Sequence, residues 1–458
     1  MKKIILTVLT SIFIGLSAQA QMSNLLYNSK HIPQVNAMNP AFFVNDKMYV
    51  AFPNLNLNFD FPLSFNDVFL VQTTDNGENI TLLNIDGILE ALDHKNEIGL
   101  DLNIGIMGSG FKTKHGFLTI GTQLKNNFQL GLPKDVLRFI ADGNVDENGY
   151  GRTLTLIDQD LLSFNSYFEV AVGYGRTFGK NLTIGVRAKA LLGLLNISTT
   201  DTRIDLETDP NLNSLGVSMD YHVRMSLPVP TAAIFDSDNF ELNLNSTADM
   251  MNLIPKNWGM AFDIGAKYQI SEKLSVAASL LDLGAIHWQS NIVELKPENG
   301  GVHFTFEGLS WDHLIVDGQY NGEFFSTMAD SIITEFTQYQ IDTNASGYWE
   351  SVPWKINLSG TYDLNKILSA SLMYRGEKNK FNYFQSVTAG ININLWNWLE
   401  IMACNSIHNF NDFLNPGVGF SMSLLSAVQV YTLFDYVSDI YIVDGKSFRF
   451  FFGLNIVI

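Results

Sequence analysis

The stretch NLNLNFDFPLSFND, Asn54 to Asp67, alternates between polar and apolar residues almost without a break. Leu55, Leu57, Phe59, Phe61, Leu63 and Phe65 fall on one side, and Asn54, Asn56, Asn58, Asp60, Ser64 and Asn66 on the other. A period of two marks a β-strand, because successive side chains point to opposite faces. The run is longer than the roughly 5–6 residues of an ordinary globular strand. A strand that long, greasy on one face and wet on the other, fits lipid outside and a polar lumen inside. Pro62 lacks an N–H, which confines it to an edge, a bulge or a strand end. Slipping the register by one would put asparagine in lipid, so the pattern pins the pairing.

The same pattern recurs to the last residue. Ile98, Leu100, Leu102, Ile104 and Ile106 share one face; Phe168, Val170, Val172 and Tyr174 share another. The final run, SFRFFFGLNIVI, aligns Phe448, Phe450, Phe452, Leu454, Ile456 and Ile458. The segments number about 14, between about 12 and 16, and each approaches the length of a tilted membrane-spanning strand. A sheet in lipid must close, because an open edge leaves backbone groups unpaired. The expected fold is therefore all-β: a transmembrane antiparallel outer-membrane β-barrel with short helical loop or plug segments.

Composition agrees. Of 458 residues, 46% are hydrophobic and 16% charged, against roughly 25% charged in a typical soluble domain. The mean hydropathy is barely positive, +0.08, which suits alternating strands better than membrane helices. A formal net charge of −18 argues against nucleic acid, whose phosphates need Lys and Arg.

Lys2 and Lys3, the apolar run Ile4 to Leu16 and Ala18-Gln19-Ala20 read as a signal peptide over residues 1–20, with Gln21 the first mature residue. Residues 21–46 form an N-terminal segment and 47–458 the barrel. No Cys follows the cleavage site to carry a lipid anchor, and the single cysteine, Cys404, reads as a small apolar strand residue. Three hairpins look alike, Tyr174–Ile184, Tyr268–Val276 and Tyr362–Ala370. Their short turns belong on the periplasmic side, with the tyrosines in an aromatic girdle. Two stretches are too long for turns: 199–257, with a strand pair, and 289–354, where Glu323–Thr337 reads as an amphipathic helix. A second helix, Lys134 to Ala141, starts after Pro133 and stops at Asp142-Gly143, in a loop or plugging the lumen.

Few residues fall in patterns that carry chemistry. The histidines at 31, 94, 115, 222, 287, 303, 313 and 408 form no ligand-spaced pair. His287, beside Trp288, reads as interfacial. Asn144, Asp146, Asn148 and Gly149 occupy positions 1, 3, 5 and 6 of a calcium-loop register, but Thr155 stands where a bidentate Glu is needed. Asp236-Ser237-Asp238-Asn239 is weaker still. No G-x-S-x-G is present, and Gly108-Ser109-Gly110 reads as a small-residue turn between strands. No catalytic, cofactor-binding or metal residue is assigned, no cofactor is expected, and binding residues stay unassigned; the expected role is non-enzymatic.

The early Asn39-Pro40-Ala41 and the stretch SLLDLGAIHW, through Asp282, Leu283, Gly284, Ile286 and Trp288, together with the alternating strands, resemble the Bacteroidota outer-membrane barrels of unassigned function. That group is similar in form to fatty-acid transporter (FadL-type) barrels and to the PorV-type barrels of type IX secretion. The resemblance implies that residues 21–46 act as a hatch in the lumen. Ile458 departs from the terminal Phe of many such barrels. Taken alone, Asn39-Pro40 reads as a turn before the first strand, and Asp282-Leu283-Gly284 as a strand end and bend.

Two functions compete. One is passage or binding of small molecules, hydrophobic ones included. The other is a structural or secretion-accessory barrel that binds protein partners through its long loops. Expected partners are outer-membrane lipid, a small hydrophobic ligand and those proteins, not nucleic acid. The first reading predicts a continuous apolar pocket leading inward from 289–354; a lumen packed solid with charged and aromatic side chains would overturn it.

Overall fold

The computed structural model describes residues 24–44, 46–73, 79–93, 95–157, 160–209, 211, 214–228, 235–236, 239–240, 256–298, 301–306, 315–316, 319–320, 339–343, 345–395, 398–409, 412–424, 427–436 and 446–458. The signal-peptide reading, the helix over Glu323–Thr337, His94 and His313 lie outside them.

Fourteen strands make the wall. They are β1 (Met48–Ala51, resumed at Asn54–Asp60), β2 (Lys95–Lys112), β3 (Phe117–Pro133), β4 (Leu162–Phe178), β5 (Leu182–Thr208), β6 (Asn257–Gln269) and β7 (Leu274–Trp288). After them come β8 (Trp354–Asp363), β9 (Leu368–Lys378), β10 (Tyr383–Leu395), β11 (Leu399–His408), β12 (Asp412–Leu424), β13 (Val428–Asp435) and β14 (Ser447–Val457). Each pairs antiparallel with its neighbours in sequence, and β14 returns to pair with β1. The C-terminal residue completes the closure: Ile458 N donates to Met48 O at 2.8 Å, and Met48 N to Ile458 O at 3.1 Å. A closed antiparallel barrel has no free edge to satisfy in lipid.

The polarity is inside out. Val172, Phe262, Ile264 and Leu372 stand exposed on the outer face, while Asn58, Glu169, Lys189, Asn357 and Asn392 are buried within. That is the distribution of an outer-membrane barrel. Tyr174, Tyr268 and Tyr362 face outward beside the short turns, where a girdle is expected.

Two local readings change. The opening alternation is strand only over Asn54–Asp60. Beyond Pro62, Ser64 and Asp67 close a capping box (Ser64 N to Asp67 Oδ2 2.7 Å, Asp67 N to Ser64 Oγ 3.2 Å) on the short helix α1, Phe65–Val68. Backbone donors captured by a cap leave the ladder, and the period of two ends there. Gly108-Ser109-Gly110 is not a turn but lies inside β2; the β2–β3 turn is at Thr113–Gly116, with Thr113 N bonded to Gly116 O.

The long-loop end carries its own structure. Residues 199–208 prolong β5; the strand Leu215–Ser226 folds back along them, and Ile292–Pro297 and Val302–Phe306 pair onto that strand. Helices α2 (Ile85–Ala91) and α3 (Lys134–Asp142) sit in the β1–β2 and β3–β4 connections. The α3 helix therefore belongs to a loop, and it ends at Gly143 with φ +81°.

Candidate functional site

Residues 24–44 run through the lumen without joining the sheet. Their short 3₁₀ turns, Leu26–Asn28 and Pro33–Ala37, leave polar groups that the wall satisfies. Glu400 of β11 accepts from Ser29 Oγ and Lys30 N, both at 2.7 Å. Gln34 and Asn455 of β14 exchange amide bonds at 2.7 and 3.1 Å. Ser279 Oγ and Asn357 Nδ2 donate to Met38 O, and Asn392 Nδ2 donates to Asn28 O. An apolar patch of Leu25, Leu26, Ile32 and Met38 packs on Met373, Met402, Leu433 and Phe451 of the wall. Cys404 lies buried in the same patch.

Asn39-Pro40-Ala41 is a turn, as its sequence indicates: Phe42 N donates to Asn39 O at 2.9 Å, and Asn39 Oδ1 accepts from Ala41 N. It lies inside the barrel, against wall glycines. A Cβ on Gly185 would overlap Pro40 O, and one on Gly265 would overlap Asn39 Oδ1. Only glycine lets the backbone approach so closely.

Above the segment, charged side chains cross the lumen as a septum. Lys125 Nζ lies 2.8 Å from Glu169 Oε2, Lys189 Nζ 2.7 Å from Asp263 Oδ1, and Arg375 Nη2 3.0 Å from Glu377 Oε2. Asp282 joins three of the strands: Lys189 at 2.5 Å, Lys125 at 3.3 Å and Lys355 at 3.5 Å all point to its carboxylate. Asp282-Leu283-Gly284 is thus no strand end. It is a bulge inside β7, with Asp282 at φ +59°, which turns that carboxylate into the lumen. Buried charges persist only when paired in this way.

Among the described residues no continuous apolar pocket leads inward from 289–354, because the septum lies in its way. A cavity of about 100 Å³ opens instead on the short-turn side of the septum, between the luminal segment and β1–β3. Its inner border is Asn36, Ala37, Asn56, Asn103 and Gln123; its outer border reaches the exposed Met107 and Ile120. The wall is irregular there. β1 breaks at Phe52–Pro53, and β2 carries an extra residue at Ile106 directly opposite. Both strands change phase at one level: Tyr49 and Ala51 point inward before the break, Asn56 and Asn58 after it.

The other sequence candidates do not assemble. Asp146 Oδ1 accepts from Tyr150 N at 2.8 Å and Asn148 N at 2.9 Å, and those bonds hold its carboxyl below the usual carboxylate range. The carboxylate serves its own loop, while Thr155 bonds Asp205 at 2.7 Å. His287 stacks on Trp349 at 4.8 Å, on the outer face beside Trp258. The septum escaped the sequence reading, though a signal existed: Lys125, Glu169, Lys189 and Asp263 all sit on the lumen phase of strands with an apolar second face.

Residues 40–435 match the model of a family of unknown function (DUF5723). No curated protein matches the chain. Among solved structures, the Ralstonia pickettii toluene transporter TbuX is similar, with 8% identity, coverage of 97% of this chain and 98% of that one, and a TM-score of 0.43. The Pseudomonas putida toluene transporter TodX has 8% identity, 97% and 94% coverage, and a TM-score of 0.37. The KdgM porin has 9% identity, 67% and 99% coverage, and a TM-score of 0.25.

Proposed function

The chain belongs to the family of unknown function DUF5723, and from that premise we propose that it is an outer-membrane barrel that binds and passes small molecules, with residues 21–46 as its hatch. The observation that carries this reading is the cavity at the β1 break, bordered by the luminal segment within and by membrane-facing Met107 and Ile120 without. An apolar body would face Met107 and Ile120, and a polar group would face Asn56, Asn103 or Gln123. At about 100 Å³ the space is smaller than the roughly 300–1,000 Å³ of ordinary ligand pockets. Passage therefore requires the segment to move, and its attachment by side-chain bonds rather than strand pairing suits such movement. The septum directs the route through the wall rather than straight down the barrel.

Mass spectrometry of the gently extracted protein tests this. A stoichiometric small apolar molecule, displaced when Met107 and Ile120 are both replaced by Trp, is the expected result. A stoichiometric protein with no small molecule would favour the secretion-accessory reading instead.

A further inference from the structure

The short-turn end of the barrel is basic in an otherwise acidic chain. Lys112 and Lys114 lie at the β2–β3 turn, Arg176 and Lys180 at the β4–β5 turn, Lys273 at the β6–β7 turn and Lys366 at the β8–β9 turn, and all six are exposed. The same four turns hold two acidic residues, Glu272 and Asp363, and Asp363 is already paired with Lys30 of the luminal segment. The whole chain, by contrast, carries 28 Lys and Arg against 46 Asp and Glu. Residues 396–398 and 425–427, which join β10 to β11 and β12 to β13, include no charged residue. Lys47 is offset by Asp46 and by the terminal carboxylate of Ile458, whose backbone it meets. Basic charge is thus gathered on one arc of the rim, from β2 to β9. We propose that this arc binds the headgroups of anionic phospholipids in the leaflet at the short-turn end.

The turns are held at one level. Gln269 N donates to Asn181 O, and Asp363 N to Lys273 O, both at 2.8 Å, so backbone bonds lace each of these turns to the next. Neighbouring turns stand two strands apart, about 10 Å. That is close to the Debye length at physiological salt, so the fields of adjacent cations add. Lys114, Lys180, Lys273 and Lys366 have no carboxylate partner among the described residues, which leaves their charge to an outside anion.

Apolar neighbours favour lipid over a soluble anion. In β4 the residues at 172, 174, 176 and 178 share the outward phase. Arg176 therefore stands on the lipid face between the exposed Tyr174 and Phe178, its guanidinium 5.3 Å from the centre of the Phe178 ring. A cation on that face is tolerated at headgroup level and costly in hydrocarbon. Ile270 stands near Lys273, and Leu364 and Ile367 flank Lys366; all three apolar side chains are exposed. Each turn thus sets a greasy side chain toward the acyl chains and an ammonium toward the phosphates. A soluble polyanion would leave those apolar groups unused. None of the six cations borders the β1 cavity, so the proposal stands independently of the passage reading.

The test titrates the full chain in detergent micelles with dioleoyl phosphatidylglycerol or dioleoyl phosphatidylethanolamine and counts bound lipid by native mass spectrometry. A Lys or Arg near an anionic surface contributes about fivefold in binding, so phosphatidylglycerol should be retained about tenfold or more tightly than phosphatidylethanolamine. Lys114→Gln, Lys180→Gln, Lys273→Gln and Lys366→Gln combined should remove that preference. Arg176→Gln alone should weaken it about fivefold. Arg203→Gln with Lys296→Gln, at the long-loop end, should leave it unchanged. Polyglutamate, a soluble polyanion, should not displace the phosphatidylglycerol. Equal retention of the two lipids, or a preference that survives both rim variants, would overturn the proposal. Displacement by polyglutamate would overturn it in favour of an acidic protein partner.

Discussion

Arg187 of β5 donates to Asn36 Oδ1 of the luminal segment at 2.5 Å and, with its other terminal nitrogen, faces Asp263 of the septum at 3.7 Å. One guanidinium thus ties the luminal segment to the septum charges above it. A planar fork with several donors can serve two partners at once, which an ammonium does less well.

Arg187→Met should free the segment while leaving the barrel closed. A hydrogen bond to a charged group contributes about 1.5–3 kcal/mol. Amide exchange over residues 32–42 should accordingly rise by about tenfold to a hundredfold, with the β-strand amides unchanged. Uniform acceleration in wall and segment alike would show that Arg187 supports the barrel as a whole.

Asp282→Asn should destabilise the barrel strongly, because Lys125, Lys189 and Lys355 lose their shared carboxylate. Removing one partner of a buried ion pair costs roughly 3–5 kcal/mol. The thermal midpoint by circular dichroism should fall, and Lys355→Met added to Asp282→Asn should recover part of the loss. Two strictly additive losses would contradict the shared-carboxylate geometry.

Gly185→Val should expel the Asn39–Ala41 turn, since the new side chain takes the space of Pro40 O. Limited proteolysis from the short-turn side should then cut within 24–44, where the parent protein resists. An uncut variant would mean the turn has another seat.

Leu372→Arg, on the outer face and 58% exposed, should cost about 2–4 kcal/mol in a bilayer, the penalty for a cation at mid-membrane on a lipid face. Folding titrations into lipid vesicles measure it. A neutral result would place Leu372 outside the hydrocarbon.

The wall was legible in the sequence because lipid outside and polar groups inside impose a period of two on nearly every strand. What the period hides is where it shifts phase. Pro53, Ile106 and Asp282 each interrupt an otherwise regular run, and a one-residue bulge reads like an imperfect alternation. The septum was hidden for a different reason. Lys125, Glu169 and Asp282 are 44 and more residues apart in the chain, so only closure of the sheet brings them together. The luminal segment lacks periodicity altogether; its place is set by matches such as Gln34 with Asn455, which no local pattern announces.

If passage requires the luminal segment to move, a reversible clamp on that segment should stop it. Asn36 and Thr119 approach through their side chains, with Thr119 Oγ1 at 3.3 Å from Asn36 Oδ1. Cysteines at both positions, in a background where Cys404 is replaced by Ala, allow the segment to be locked by oxidation. Uptake of a small apolar solute by proteoliposomes should be abolished in the oxidised protein and restored on reduction. Equal uptake in the locked and released states would contradict the account.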